Sequence, residues 1–212
     1  MRFLVTAGPT REPIDPVRYL SNRSSGKMGY AVAEAALAGG HEVVLVSGPV
    51  SIAVPAGAEV VRVETALEMH DAVASRIGRC DAAVFCAAVA DYRVADAATE
   101  KIKKTEDALT LSLVRNPDIL GSARTAFGFR GVLVGFAAET NDLERNALDK
   151  LRRKGCDLLV ANDVSRSDIA FDRDENEVAL FFRDGRRESF ARAPKGEIAR
   201  ALVERIEVLD RP

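Results

Sequence analysis

Hydrophobic positions fall into short unbroken runs, separated by stretches in which apolar residues recur every three or four places. The runs at 3–7, 43–47, 60–63, 82–88, 132–137 and 158–161 are rich in β-branched or small apolar residues and are bounded by Gly, Asp or Asn. Such runs predict strands. Their continuity, without polar alternation, predicts strands covered on both faces, as in a parallel sheet. Residues 27–38 set Met28, Ala31, Val32, Ala35 and Ala36 along one stripe, and 66–77, 118–126 and 143–154 behave similarly. Each predicts an amphipathic helix, as does the closing segment 196–209.

Alternating strands and helices predict a single α/β domain over residues 1–212. It is expected to be three-layered and Rossmann-like, with a mostly parallel sheet and helices on both faces. Ligands of such sheets sit beyond the carboxyl ends of the strands, so the loops after Ala7, Ala88 and Ala137 are expected to carry function. Two segments break the alternation. Residues 99–114 hold Lys101-Ile102-Lys103-Lys104, a turn near Asp107 and Leu109-Thr110-Leu111-Ser112-Leu113, which predicts a hairpin flap beside the site. Residues 163–192 hold strand-like runs on either side of Asp184-Gly185, a hairpin signal. Phe181 and Phe182 are expected to be exposed there and to serve as a subunit contact.

The formal net charge is −2, so nothing pulls the whole protein toward nucleic acid or an anionic membrane. Any anion must be held by a local cluster. Cys80, Cys86 and Cys156 are odd in number and lie in or beside apolar runs, which predicts reduced, buried thiols. With no zinc-like cysteine spacing and only His41 and His70 as histidines, no structural metal is expected. Strand one opens directly after Met1 without a charged leader, and no apolar run approaches bilayer length. A cytoplasmic protein is expected.

The loop after Ala7 runs to about Ser25 and carries Arg11, Arg18 and Arg23, with Lys27 just beyond; Pro9, Pro13 and Pro16 stiffen it. Long loops in compact domains usually serve function, and a stiff basic one suits anion binding. Ser24-Ser25-Gly26-Lys27 then opens the first predicted helix, where unpaired amides and the dipole favour a phosphate or carboxylate. Plain capping by Ser24 or Ser25 leaves the four cations unexplained. The stretch is not a Walker loop, because Ser21 stands in place of the required Gly and Met28 follows Lys27. Ser24-x-x-Lys27 lacks the companion motifs of a serine acyl-enzyme. A dinucleotide site would need a glycine fingerprint after strand one, where this chain has Gly8-Pro9; that weakens an NAD(P)-dependent reductase reading.

Ala87-Ala88-Val89-Ala90-Asp91-Tyr92 ends the fourth strand in small residues that let a ligand approach the backbone. Asp91 can hold a ribose hydroxyl or a metal, or cap a turn. Lys101, Lys103 and Lys104 crowd three cations into four residues, and strand geometry would put Lys101 and Lys103 on one face. That suits a triphosphate, or a solvated sheet edge. Asn116-Pro117-Asp118-Ile119-Leu120 is good helix-start chemistry and needs no function to explain it. Glu139 and Asn141 fall at the presumed ligand edge. Lys150 and Lys154 lie four apart on one helix face, as they would on a solvated surface.

The ordered set 6–18, Ser21-Asn22-Arg23-Ser24-Ser25-Gly26-Lys27-Met28-Gly29, 87–92, Lys101-Ile102-Lys103-Lys104, Asn116-Pro117-Asp118, Gly135-Phe136-Ala137-Ala138-Glu139-Thr140 and Ala161-Asn162-Asp163 resembles the phosphopantothenate–cysteine ligase family over nearly the whole chain. The Lys-Ile-Lys-Lys stretch is similar to the bacterial, CTP-using type. The resemblance implies that 4′-phosphopantothenate is activated by CTP, with Mg²⁺, to an acyl-cytidylate that cysteine then captures, in coenzyme A synthesis. It implies a nucleotide site of Phe85, Cys86, Ala87, Asp91, Lys101, Pro117, Asp118, Ile119, Leu120, Phe136, Lys150 and Lys154. Asn22 would be the catalytic amide, acting with Lys101, and Arg18, Asn22, Ser24, Ser25, Gly26 and Lys104 would contact the acid. A homodimer is implied as well. Because Met1 opens onto strand one, a fused decarboxylase and its flavin are not expected, and a separate decarboxylase is the expected partner. A non-catalytic nucleotide-binding subunit stays open as an alternative.

Overall fold

The computed structural model describes residues 1–104, 107–139, 141–163 and 173–210. Thr140, the Glu139 side chain and residues 164–172 of the expected hairpin segment lie outside the described residues. The first half of the chain gives β1 (Arg2–Ala7), β2 (Arg11–Pro13), β3 (Tyr19–Ser21), α1 (Lys27–Ala38), β4 (Glu42–Ser47), β5 (Glu59–Arg62), α2 (Ala66–Ala74), β6 (Ala82–Phe85) and β7 (Tyr92–Val94). The second half gives β8 (Leu113–Arg115), α3 (Ile119–Thr125), β9 (Val132–Glu139), α4 (Leu143–Lys154), β10 (Leu158–Asp163), β11 (Glu175–Phe182), β12 (Arg187–Pro194) and α5 (Lys195–Leu209).

Among the described residues eight strands form one sheet in the order β12-β11-β10-β9-β6-β1-β4-β5. From β5 to β10 every pairing is parallel, and β11 and β12 add antiparallel strands at one edge. The chain starts at the centre, builds outward through β4 and β5, then returns to the other side of β1 with β6. Strand order therefore reverses between β1 and β6, and a crevice opens beyond their carboxyl ends.

Helices α1 and α5 cover one face, packing Tyr30, Val32, Leu202 and Ile206 over Phe3, Val5 and Val84. Helices α2, α3 and α4 cover the other, packing Met69, Val73, Ile119 and Leu151 over Leu4, Val44 and Leu133. Each large side chain so enclosed contributes roughly 1.5–3 kcal/mol of transfer free energy, which is why the parallel strands read as unbroken apolar runs. Among the described residues no helix is long and apolar enough to cross a membrane.

Three expectations are corrected. Phe181 and Phe182 are 2% exposed: β11 lies between β10 and β12, so Phe182 joins the α5 core and Phe181 the α4 core. They are core residues and not the exposed apolar pair expected of them. Among the described residues of 99–114, which leave out 105 and 106, no two strands pair within the segment; the ribbon there pairs β7 with β8, and Lys101, Lys103 and Lys104 lie outside any strand. The argument that Lys101 and Lys103 share a strand face therefore lapses. The first loop, conversely, contains the β2–β3 ribbon, whose three-residue strands carry no readable alternation. Glu12, 1% exposed, accepts the Ala66 N–H at 3.0 Å and so ties this ribbon to the start of α2.

Candidate active site

The loops after β1 and β6 are stitched into one rim. Pro9 bridges Ala88 in parallel fashion, Ala88 N–H donates to the Gly8 carbonyl at 2.9 Å, and the fully buried Thr10 accepts Ala90 N–H through Oγ1 at 3.0 Å. The β2–β3 ribbon returns the chain to this rim at Asn22, whose Nδ2 donates to the Ala88 carbonyl at 3.1 Å. Helix α1 starts immediately afterwards. Its N-cap is Gly26, at φ 78°, a left-handed backbone that glycine adopts without a Cβ penalty.

Two cavities meet at the rim. The first, of about 540 Å³, is lined by Phe85, Ala87, Asp91, Pro117, Asp118, Ile119, Leu120, Phe136, Lys150 and Lys154, and also by Arg115 and Arg153. The second, of about 380 Å³, is lined by Asn22, Ser24, Ser25, Gly26, Lys27, Cys86, Asn162, Asn176 and Lys195. Ala87, Val89, Asp91, Phe136 and Lys150 line both and form a common wall.

Hydrogen bonds hold the polar groups of that wall in place. Lys150 Nζ donates to the Phe136 carbonyl at 2.8 Å. Asn116 Nδ2 donates to the Ala90 carbonyl at 2.9 Å while its N–H meets the Asp91 carbonyl, also at 2.9 Å. Asp118 caps α3 by accepting Gly121 N–H at 2.9 Å and is paired with Lys154. Burial works against that carboxylate, yet Lys154 and the Gly121 amide outweigh it and hold Asp118 below its ordinary value. Burial pushes the Cys86 thiol up to about 12 against the pull of Lys195. It therefore stays a neutral thiol and lacks the thiolate form that acts as a nucleophile.

Asn22, Ser24, Ser25 and Gly26 are thus gathered in the second cavity and most of the residues expected to hold a nucleotide in the first, with Cys86 lining the second rather than the first. Three expected residues fall elsewhere. Arg18 is turned toward Asp15 and the Ile102 carbonyl, the latter at 2.9 Å. Lys101 and Lys104 are exposed on the excursion between β7 and β8 and line neither cavity. Asn176, Lys195, Arg115 and Arg153 were missed as lining residues. Lys195 did leave a signal, since a lysine at the first residue of a helix opposes the helix dipole. Among the described residues no group of three or more His, Cys, Asp or Glu gathers as a metal site.

Known proteins share this fold. The chain matches the model of the DNA/pantothenate metabolism flavoprotein C-terminal domain over residues 1–209. It is 46% identical over 209 residues to the coenzyme A biosynthesis bifunctional protein CoaBC of Vibrio vulnificus strain YJ016, covering 98% of this chain and 52% of that protein. The identity to the CoaBC of Escherichia coli strain K12 is 50% over 188 residues, covering 87% of this chain and 46% of that protein. The chain thus spans about half the length of these curated relatives. The crystal structure of a C-terminal domain of CoaBC has a TM-score of 0.83 at 39% identity, covering 98% of this chain and 94% of that one. With a match from residue 1 to residue 209 and the same fold, the chain belongs to the DNA/pantothenate metabolism flavoprotein C-terminal domain family.

Proposed function

We propose that this domain is a phosphopantothenate–cysteine ligase that uses CTP. The observation that carries the reading is the common wall: a basic cavity of nucleotide size shares Ala87, Val89, Asp91, Phe136 and Lys150 with a second cavity rich in amide donors. The nucleotide occupies the first cavity and phosphopantothenate the second, so a carboxylate and an α-phosphorus can meet at the wall. A carboxylate oxygen attacks the α-phosphorus and pyrophosphate leaves, giving an acyl-cytidylate. The amine of cysteine then attacks the acyl carbon, CMP leaves, and the amine proton is lost. Holding both reactants in one orientation supplies much of the rate.

Asn22 takes the catalytic role because its amide stands on the rim of the acid cavity, fixed by the Ala88 carbonyl. A donor aimed at developing oxyanion charge is worth about 3–4 kcal/mol of barrier. Lys150 and Lys154 neutralise the phosphates. Mg²⁺ fits as an ion carried largely by substrate phosphates, with Asp91 as its one carboxylate at the wall; such ions need few protein ligands, and its chemistry is to screen the triphosphate. Lys101 and Lys104, off both cavities, are assigned to the outer phosphates.

A homodimer is retained but moved. The exposed apolar residues Val17, Tyr19, Tyr92, Leu113 and Val114 gather on the β2–β3 and β7–β8 ribbons, and a second copy of the chain is the proposed cover. The product's cysteine carboxylate makes a decarboxylase the enzyme that follows. The test is a coupled assay. CMP and pyrophosphate should form only when phosphopantothenate, cysteine and CTP are all present. Turnover with ATP alone would remove CTP, and no turnover with either nucleotide would remove the ligase.

A further inference from the structure

The Asn22 amide is placed on the rim by more than its own hydrogen bond. Asn22 is exposed and stands one residue beyond β3, in a stretch without regular structure that runs to the start of α1. Such backbone fixes a side chain poorly, and catalytic groups lose rate steeply when misplaced by about 1 Å. The restraint comes from the residue before it. Ser21 ends β3, and its pairing with Arg11 is the last pair of a three-residue ribbon; an end pair frays unless it is tied. The Ser21 hydroxyl supplies the tie by donating to the Thr10 carbonyl at 2.7 Å. Thr10 is fully buried, and its N–H donates to the Ala88 carbonyl at 3.3 Å. The same carbonyl accepts the Asn22 amide at 3.1 Å. Ser21, Thr10, Ala88 and Asn22 therefore close a ring of hydrogen bonds, one side of which is the Ser21–Asn22 peptide. Ala87 and Val89, on either side of Ala88, line both cavities, so the ring registers Asn22 against the common wall.

We propose that Ser21 is a positioning residue: its hydroxyl, through Thr10, holds the Asn22 amide where the acyl oxygen gains charge. This rests on the ligase reading and on the role given there to Asn22. Ser21 itself lines neither cavity, so it acts through Asn22 and not on a substrate. One N–H of the Asn22 amide is spent on Ala88, and a primary amide carries a second. Because the group is planar, anchoring the first N–H and the main chain sets the direction of the second, which is the one left for the acyl oxygen.

The test is a double-mutant cycle in the full chain, read as CMP formation under single-turnover and steady-state conditions. Wild type is compared with Ser21→Ala, Asn22→Ala and the pair. Ser21 is exposed, so removing its hydroxyl opens no internal cavity and Ser21→Ala should fold. It is expected to slow CMP formation at least fivefold, with the KM values for CTP and phosphopantothenate within about twofold of wild type. In the Asn22→Ala background the same change should slow it no further, because residues that act through one another are not additive. Ser21→Thr keeps the hydroxyl and should recover most of the rate. Full speed in Ser21→Ala, or equal slowing with and without Asn22, would overturn the proposal. So would a rise in KM for CTP as large as the loss of rate, the mark of a wall disturbed as a whole. No CMP from wild type would remove the ligase reading and this role with it, whereas an active wild type with an additive pair removes this role alone.

Discussion

The Arg18 guanidinium donates to the main-chain carbonyl of Ile102 at 2.9 Å, while Asp15, the carboxylate that orients Arg18, accepts the Ile102 N–H at 3.1 Å. One side-chain pair thus clasps both polar groups of a single peptide residue, 84 positions away from Arg18. It fastens the lysine excursion to the ribbon that presents Asn22. The basic loop and the basic excursion, read in the sequence as two anion binders, are in this structure partly bound to each other.

Acid should release that clasp. The Asp15 side chain is fully enclosed, and Arg18 holds its carboxyl well below the usual carboxylate range, helped by three backbone N–H groups and opposed by burial. A depressed folded pKa contributes stability that is complete above the unfolded value of about 3.9 and lost as pH falls through the folded value. Wild type should therefore lose Tm progressively below about pH 4, and Asp15→Asn should flatten that fall. Calorimetry across the acid range checks this. At neutral pH the same variant should expose Lys101, Lys103 and Lys104 to trypsin sooner. Identical acid slopes and identical cleavage rates would mean that Asp15 holds nothing.

What the sequence revealed follows from what each residue had to do alone. The strands β1, β4, β6, β9 and β10 were readable because helices on both sides demand apolar residues at every position. Helix α1 was readable to its first and last residues, Lys27 and Ala38, because its stripe is regular and Gly26 and Gly39 punctuate it. The ribbon strands, three residues each, are too short to show a period. Phe181 and Phe182 misled because adjacent residues of a strand face opposite sides, and both sides here are covered. Lys195 was missed for another reason: the residues that line a cavity with it come from the distant ends of β6, β10 and α1, and only the folded sheet joins them.

Removing the Asn22 amide should separate binding from turnover. Asn22→Ala is expected to leave CTP affinity within about twofold and to slow turnover at least tenfold, a barrier increase of about 1.4 kcal/mol or more. Calorimetry and single-turnover measurements distinguish the two. Because Asn22 also holds the Ala88 carbonyl, a purely structural role would weaken nucleotide binding and turnover together.

Lys101 decides whether the excursion reaches the nucleotide. If it meets the outer phosphates, Lys101→Gln should raise KM for CTP severalfold while leaving inhibition by CMP unaltered, since CMP lacks those phosphates. Charge-assisted phosphate contacts of this kind are about twice as strong as neutral ones. Unchanged KM would confine Lys101 to the surface it occupies here, and equal effects on CTP and CMP would point to displacement of the whole nucleotide.

The start of α1 is set by how closely it rests on the end of β1, and Gly29 makes the approach possible. A Cβ at Gly29 would lie 2.6 Å from the Ala7 Cβ and 3.1 Å from its Cα, too close for carbon atoms in contact. Backbone on the far side cannot rotate away as a flexible side chain would, so the helix has to shift. Overpacking of this kind costs about 1–3 kcal/mol, and for a domain of this size it should lower Tm by roughly 2–12 °C. The shift also carries the Ser24, Ser25 and Gly26 amides away from the acid cavity, so KM for phosphopantothenate should rise more than KM for CTP. Removing the opposing methyl group, in the double variant Gly29→Ala with Ala7→Gly, should restore most of both losses. An undisturbed Tm, or a double variant no better than the single one, would show that α1 does not bear on β1 at this point.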